Sequence, residues 1–111
     1  TPYTSSAASD VYKRQIVHIV LFKWNSDTST ETIASVMSAL RGMKGKVPEI
    51  IDLSCGDNFS ELSQGFQNGL VVQVKDKAAL DAYAKNSIHQ QIIQTLIKPI
   101  LADKITIDYE V

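Results

Sequence analysis

A four-stranded antiparallel sheet with helices on one side, the ferredoxin-like split βαβ class of α+β fold, is what this sequence predicts. Two observations lead there. The hydrophobic pattern changes period in the order strand, helix, strand, strand, helix pair, strand. The 111 residues, 44% of them hydrophobic, suffice for one continuous core and one domain. A third observation sets the expected assembly. The first and third strands are apolar on both faces, so one layer of helices leaves apolar surface that a second copy would cover, giving a homodimer through the sheet faces.

The first strand is IVHIVLFKW, with Ile16, Val20, Phe22 and Trp24 on one face and Val17, Ile19 and Leu21 on the other. After a polar turn, Thr28 and Glu31 have the T-x-x-E spacing of a capping box. Ile33, Val36, Met37, Leu40 and Met43 then recur at helical spacing, and Gly42, Gly45 and Pro48 close the element. Residues 49–56 (EIIDLSCG) read as a second strand, followed by a polar loop. Residues 66–74 (FQNGLVVQV) read as a third, with Phe66, Asn68, Leu70, Val72 and Val74 in line. Asp76 predicts the cap of a short helix running through Ala84, and Ser87 with Gln90 that of a second. The second helix carries Ile88, Ile92, Ile93, Leu96, Ile97, Ile100 and Leu101, and Pro99 should kink or tighten its last turn. Residues 104–111 (KITIDYEV) alternate, with Ile105, Ile107, Tyr109 and Val111 on one face of a half-buried last strand.

Residues 1–15 stand apart from this pattern. They are rich in Ser, Thr and Ala, show no periodicity, and contain SSAASDVYKRQ, which resembles a translated adaptor. They are expected to be a disordered or non-native leader, with the domain at residues 16–111. The net charge of −1, without a run of like charge, gives no long-range attraction for nucleic acid or an acidic membrane. No apolar stretch approaches the roughly 20 residues of a membrane-spanning helix. Cys55 stands alone and reads as a small buried hydrophobe. A reducing, cytoplasmic setting is compatible with it. G-x-G-x-x-G, Walker and G-x-S-x-G motifs are missing, and the only imidazoles are His18 and His89, without H-x-x-x-H or C-x-x-C spacing. No nucleotide, metal or other cofactor is expected.

Three segments together resemble the stress-responsive dimeric α/β barrel (Dabb) family: the strand IVHIVLFKW, the segment LDAYAKNSIH and the closing strand KITIDYEV. The likeness runs from about Ile16 to Val111. It implies a homodimer in which two four-stranded sheets face each other and enclose an apolar barrel interior. Many members are stress-associated proteins without a settled activity. One is a plant polyketide cyclase that closes a ring by intramolecular aldol condensation, using a Tyr and a His six residues later. That spacing matches Tyr83 and His89, and an early strand His of the cyclase matches His18. The sequence departs from the common Y-x-x-H-P-x-H pattern at Asn86 and Ser87, and has Asn68 where the cyclase has a His on the third strand.

An imidazole takes or gives a proton near neutral pH, so His89 is a candidate general base, with a surface histidine in a first helical turn as the plain alternative. Tyr83 could orient a substrate oxygen through its phenol or simply cover the sheet. His18 is either a satisfied core histidine or a ligand-contacting one, sharing its strand face with Val20 and Phe22. Asn68 could line a polar spot in the barrel or pair with a neighbouring chain. Two functions follow. One is a homodimeric stress-type protein enclosing a small apolar ligand through His18, Asn68, Val20 and Phe22. The other is a polyketide cyclase-like lyase with His89 as base and Tyr83 as hydrogen-bond donor. Convergence of His89 and Tyr83 on one apolar cavity favours the second.

Overall fold

The computed structural model describes residues 14–111, so most of the expected leader lies outside the described residues. Arg14 and Gln15, read with the leader, are tied to the sheet: the Arg14 amide donates to the Val111 carbonyl, and the Val111 amide to that of Gln15. The elements are β1 (Ile16–Trp24), α1 (Thr30–Arg41), β2 (Ile50–Asp57), β3 (Asn68–Val74), α2 (Lys77–Lys85), α3 (Ser87–Ile92) and β4 (Leu101–Glu110). A π-helical turn (Ile93–Ile97) and a 3₁₀ turn (Lys98–Ile100) join α3 to β4. The strands form one sheet in the order β2-β3-β1-β4, and all three pairings are antiparallel. This is the ferredoxin-like α+β fold.

Two helix starts differ by one residue from the sequence reading. Ser29, not Thr28, caps α1, its hydroxyl accepting from the Thr32 amide at 3.1 Å. The Thr28 amide instead closes the preceding turn on the Asn25 carbonyl at 3.0 Å. Asn86, not Ser87, caps α3, its Oδ1 accepting from the Ile88 amide at 2.9 Å, while the Gln90 side chain turns to the Ala84 carbonyl at 2.6 Å. Pro99 does tighten the last turn. The Lys98 amide reaches back five residues to the Ile93 carbonyl, proline then offers no donor, and the chain leaves through the 3₁₀ turn closed by the Leu101 amide on the Lys98 carbonyl.

The register separates the two sheet faces. His18 pairs with Val72 and Asp108, Val20 with Leu70 and Thr106, and Phe22 with Asn68 and Lys104, so these residues share the face under the helices. On that face the β1 and β3 side chains join Val36, Met37, Leu40, Met43, Val47, Tyr83, Ile92 and Ile97 in one buried core. Phe22 and Trp24 stack at 5.0 Å between ring centroids. The opposite face carries Ile19 beside Val71 and Ile107, and Leu21 beside Gly69 and Ile105. Among the described residues no helix covers it. Ile105, Ile107 and Tyr109 are consequently 44%, 48% and 49% exposed, so the last strand is not half-buried as its alternation suggests.

Candidate functional site

Beneath the helices the core is incomplete, leaving a cavity of about 250 Å³ between the sheet and the α2–β4 segment. Its floor is His18, Val20 and Phe22 of β1, Leu70 of β3, and Lys104 and Thr106 of β4; Leu40, Ile93 and Ile97 close it from the helix side. Tyr83 and His89 enter from neighbouring helices. Ile93 and Ile97, four residues apart in the π-helical turn, both face this space.

Asn86 sets the relation of Tyr83 to His89. Its backbone is extended in ψ (φ −59°, ψ 135°), which ends α2, while its side chain starts α3 and its amide donates to the Tyr83 carbonyl at 3.2 Å. A proline following it would favour the same break by occupying the first helical position. Here the Asn86 cap achieves it with Ser87 in that position. The Tyr83 and His89 rings consequently lie 4.3 Å apart between centroids, and the His18 ring meets Tyr83 edge-on at 5.6 Å.

The chemistry of the three rings differs. The Tyr83 hydroxyl is buried and has no hydrogen-bond partner among the described protein groups. Burial pushes its pKa well above the ordinary phenol value, so it stays protonated and remains a donor. His89 Nδ1 lies 3.1 Å from the Ala84 carbonyl, a group that can only accept, which assigns the proton to Nδ1 and leaves the lone pair on Nε2. Burial lowers the His89 pKa below the usual histidine value; the Ala84 carbonyl opposes this, and the charges of His18 and Lys104 add smaller downward pushes. At neutral pH it is a neutral base. His18 Nδ1 pairs with the Asp108 carboxylate, which fixes the ring orientation.

A second, outer cleft of about 320 Å³ shares the same rings and is bordered by Lys77, Leu80, Asp81, Ala84 and Asp108 as well as His18, Tyr83 and His89. A third and larger cavity, about 590 Å³, opens between α1 and the β2–β3 loop. It contains neither imidazole nor phenol, so its size does not make it the chemical centre.

The structure therefore brings His18, Val20, Phe22, Tyr83 and His89 to one cavity and places Asn68 elsewhere. Asn68 borders the larger cavity, and its amide is taken: Oδ1 accepts from Trp24 Nε1 at 2.8 Å and Nδ2 donates to Asp57 Oδ1 at 2.9 Å. The shared cavity also lies inside one chain, between sheet and helices, rather than on the open sheet face where a barrel interior between two copies would form. Lys98, Lys104, Thr106 and Asp108 escaped the sequence reading. The alternation of KITIDYEV contains the signal, since Lys104, Thr106 and Asp108 share a face, but polar residues alternating on a terminal strand read as solvent-facing.

The model of the stress responsive A/B barrel domain, Dabb, matches residues 16–111, and the chain belongs to that family. No curated protein matches the sequence significantly. Among solved structures, a dimeric ferredoxin-like protein of unknown function from Thermobifida fusca is 23% identical, with a TM-score of 0.78 over 87% of this chain and 91% of that one. Another so described, from Jannaschia sp., is 28% identical, with a TM-score of 0.73 over 87% and 99%. The hydroxynitrile lyase of Passiflora edulis superposes with a TM-score of 0.81 over 89% and 94% at 14% identity, a likeness of fold. Among the described residues no helix is long and apolar enough to cross a membrane.

Proposed function

We propose that this Dabb protein is a homodimer whose helix-side cavity binds a small, largely apolar carbonyl compound and moves a proton on it, as a lyase or cyclase. The observation that carries this reading is the meeting of a buried, unpartnered Tyr83 hydroxyl with a neutral His89 in one apolar cavity. His89 Nε2 removes a proton from the carbon beside a carbonyl, and the electron pair moves onto the carbonyl oxygen. Tyr83 donates to that oxygen as charge builds there. In an intramolecular aldol step the enolate carbon then bonds to a second carbonyl carbon, and the resulting alkoxide takes the proton back from His89. His18, held by Asp108, packs the Tyr83 ring in place. The fold carries a lyase in Passiflora edulis, which is consistent with this use of the scaffold.

The dimer rests on the uncovered sheet face, where Ile105, Ile107 and Tyr109 stay about half exposed beside Ile19 and Leu21. The Thermobifida and Jannaschia neighbours are described as dimeric.

Cyclisation of a poly-β-keto thioester, followed by product mass, tests the catalytic reading. Wild type should form the ring, His89→Ala should do no better than buffer, and Tyr83→Phe should be slower by roughly ten- to a thousandfold, the range for one lost oxyanion donor. Identical product with wild type, His89→Ala and buffer alone would leave a binding protein on the same scaffold.

A further inference from the structure

The cavity has a charged end that the proton-transfer residues do not explain. Lys98 and Lys104 both border it, and no Asp or Glu does. Neither lysine has an ion-pair partner among the described residues; the carboxylates that are paired face Lys44, Lys77, Lys85 and His18. A chain with net charge −1 thus presents two cations and no anion to its apolar cavity. Asp108, two residues beyond Thr106 on the same strand face, is engaged by His18 at the outer cleft. Thr106 lies between, also on the cavity wall.

The register gives this arrangement a direction. Lys104 pairs with Phe22, and Phe22 is four residues along β1 from His18, which is roughly 13 Å at the rise of a strand. At the level of the backbone the aromatic cluster and Lys104 thus stand four residues apart along one apolar floor made by Val20, Phe22, Leu70 and Leu101, while the Lys104 charge still reaches far enough to act on His89. A medium-length acyl chain spans that distance.

We infer that the cavity takes an amphiphilic carboxylate: an apolar chain lies along the floor past Thr106, Lys98 and Lys104 receive the carboxylate at the rim, and any reacting carbonyl lies toward Tyr83 and His89. Lys98 and Lys104 are exposed residues at the rim of the cavity, so their attraction for a carboxylate is that of a partly solvated pair and is screened by salt. Lys98 comes from the 3₁₀ turn and Lys104 from β4, so the two ammoniums reach the anion from different elements.

This inference rests on the cavity of the proposed function but not on its catalysis, and binding separates the two. Octanoate and octanamide, of equal chain length, are titrated calorimetrically into the full chain, into the Lys98→Met/Lys104→Met double variant and into His89→Ala. Methionine keeps the apolar stem of lysine and removes the charge. Octanoate should bind wild type about tenfold or more tightly than octanamide, with an affinity that weakens as salt is added. The double variant should bind octanoate no better than octanamide, with octanamide unaffected, and His89→Ala should still prefer octanoate. Equal affinity of wild type for the two ligands, equal loss of both in the double variant, or no binding of octanoate at millimolar concentration overturns the inference. A preserved preference for octanoate without any ring closure by wild type would remove the catalytic reading and leave this one standing.

Discussion

The two faces of the sheet are built from nearly the same residue types and meet opposite fates. Under the helices, Ile16, Val20, Phe22, Val72 and Val74 are buried in a single chain, and polar His18 and Asn68 are buried or half-buried among them with partners. On the other side Ile19, Leu21 and Val71 are only partly buried and Ile105 and Ile107 are exposed, an aliphatic patch running beside the buried Val17. The helix-side face combines cover with chemistry, whereas on the open face the polar groups, Gln73, Tyr109, Ser54 and the register-paired Lys23 and Asp103, flank the aliphatic row instead of entering a cavity. Hydrophobic area by itself marks an interface, while polar groups admitted into hydrophobic area mark a site.

The largest break in this contrast should come from a charge on the open face. Ile19→Lys places an ammonium in the middle of the aliphatic row, flanked by Val71 and Ile107. In a dimer through this face, two such groups would be desolvated together, a cost of several kcal/mol. Sedimentation at low micromolar concentration should give twice the chain mass for wild type and the chain mass for the variant, with far-ultraviolet circular dichroism retained. A wild type sedimenting as a stable monomer sinks the assignment of this face.

On the covered face the corresponding change acts on folding. Phe22→Ala removes a buried ring stacked on Trp24 and should destabilise the protein by about 3–5 kcal/mol in denaturant unfolding. Losses below about 1 kcal/mol would mean that the cavity beside it collapses and fills the space. Tyr83→Phe sharpens the comparison in the opposite direction. Deleting a buried hydroxyl without a protein partner should leave stability unchanged or raise it, by up to about 1–3 kcal/mol, while lowering turnover. A clear loss of stability would show that the hydroxyl is structural.

The smallest effect is on pH dependence. Protonation of His89 removes the lone pair that acts as base, and burial holds its pKa below the ordinary histidine value of about 6.5. The rate should be flat through neutral pH and fall only on further acidification, with no alkaline limb from Tyr83 in the usual phenol range. Linkage has the same sign. The unfolded chain takes up a proton at this site before the folded one does, so its contribution to stability is lost as pH falls from about 6.5 through the lowered folded value. An acid limb with a midpoint above the ordinary histidine value would remove His89 as the base.

Element order, the face-sharing of β1 and β3 and the cap at Asp76 were legible in the sequence, because period and capping chemistry are local. Ser29 and Asn86 were missed by one residue each, since neighbouring Ser, Thr and Asn side chains can all cap and tertiary context selects among them. Tyr83 and His89 were legible as a pair through the family spacing, and their meeting depends on the break at Asn86, where the chain departs from that spacing's usual residues. The role of β4 was not legible. Alternation tells which residues share a face, and only the register against β1 tells that Lys104, Thr106 and Asp108 face the helices while the isoleucines face away.

His18, Tyr83 and His89 border both the inner cavity and the outer cleft. The inner cavity adds mostly aliphatic side chains to these three rings, and the outer cleft adds the Asp81 and Asp108 carboxylates. The same imidazoles therefore border two different environments. In a turnover of the proposed kind the proton that His89 takes from carbon is the one the alkoxide takes back, so the reaction needs no exchange with bulk water, and the outer cleft serves to hold His18 on Asp108 rather than to carry protons.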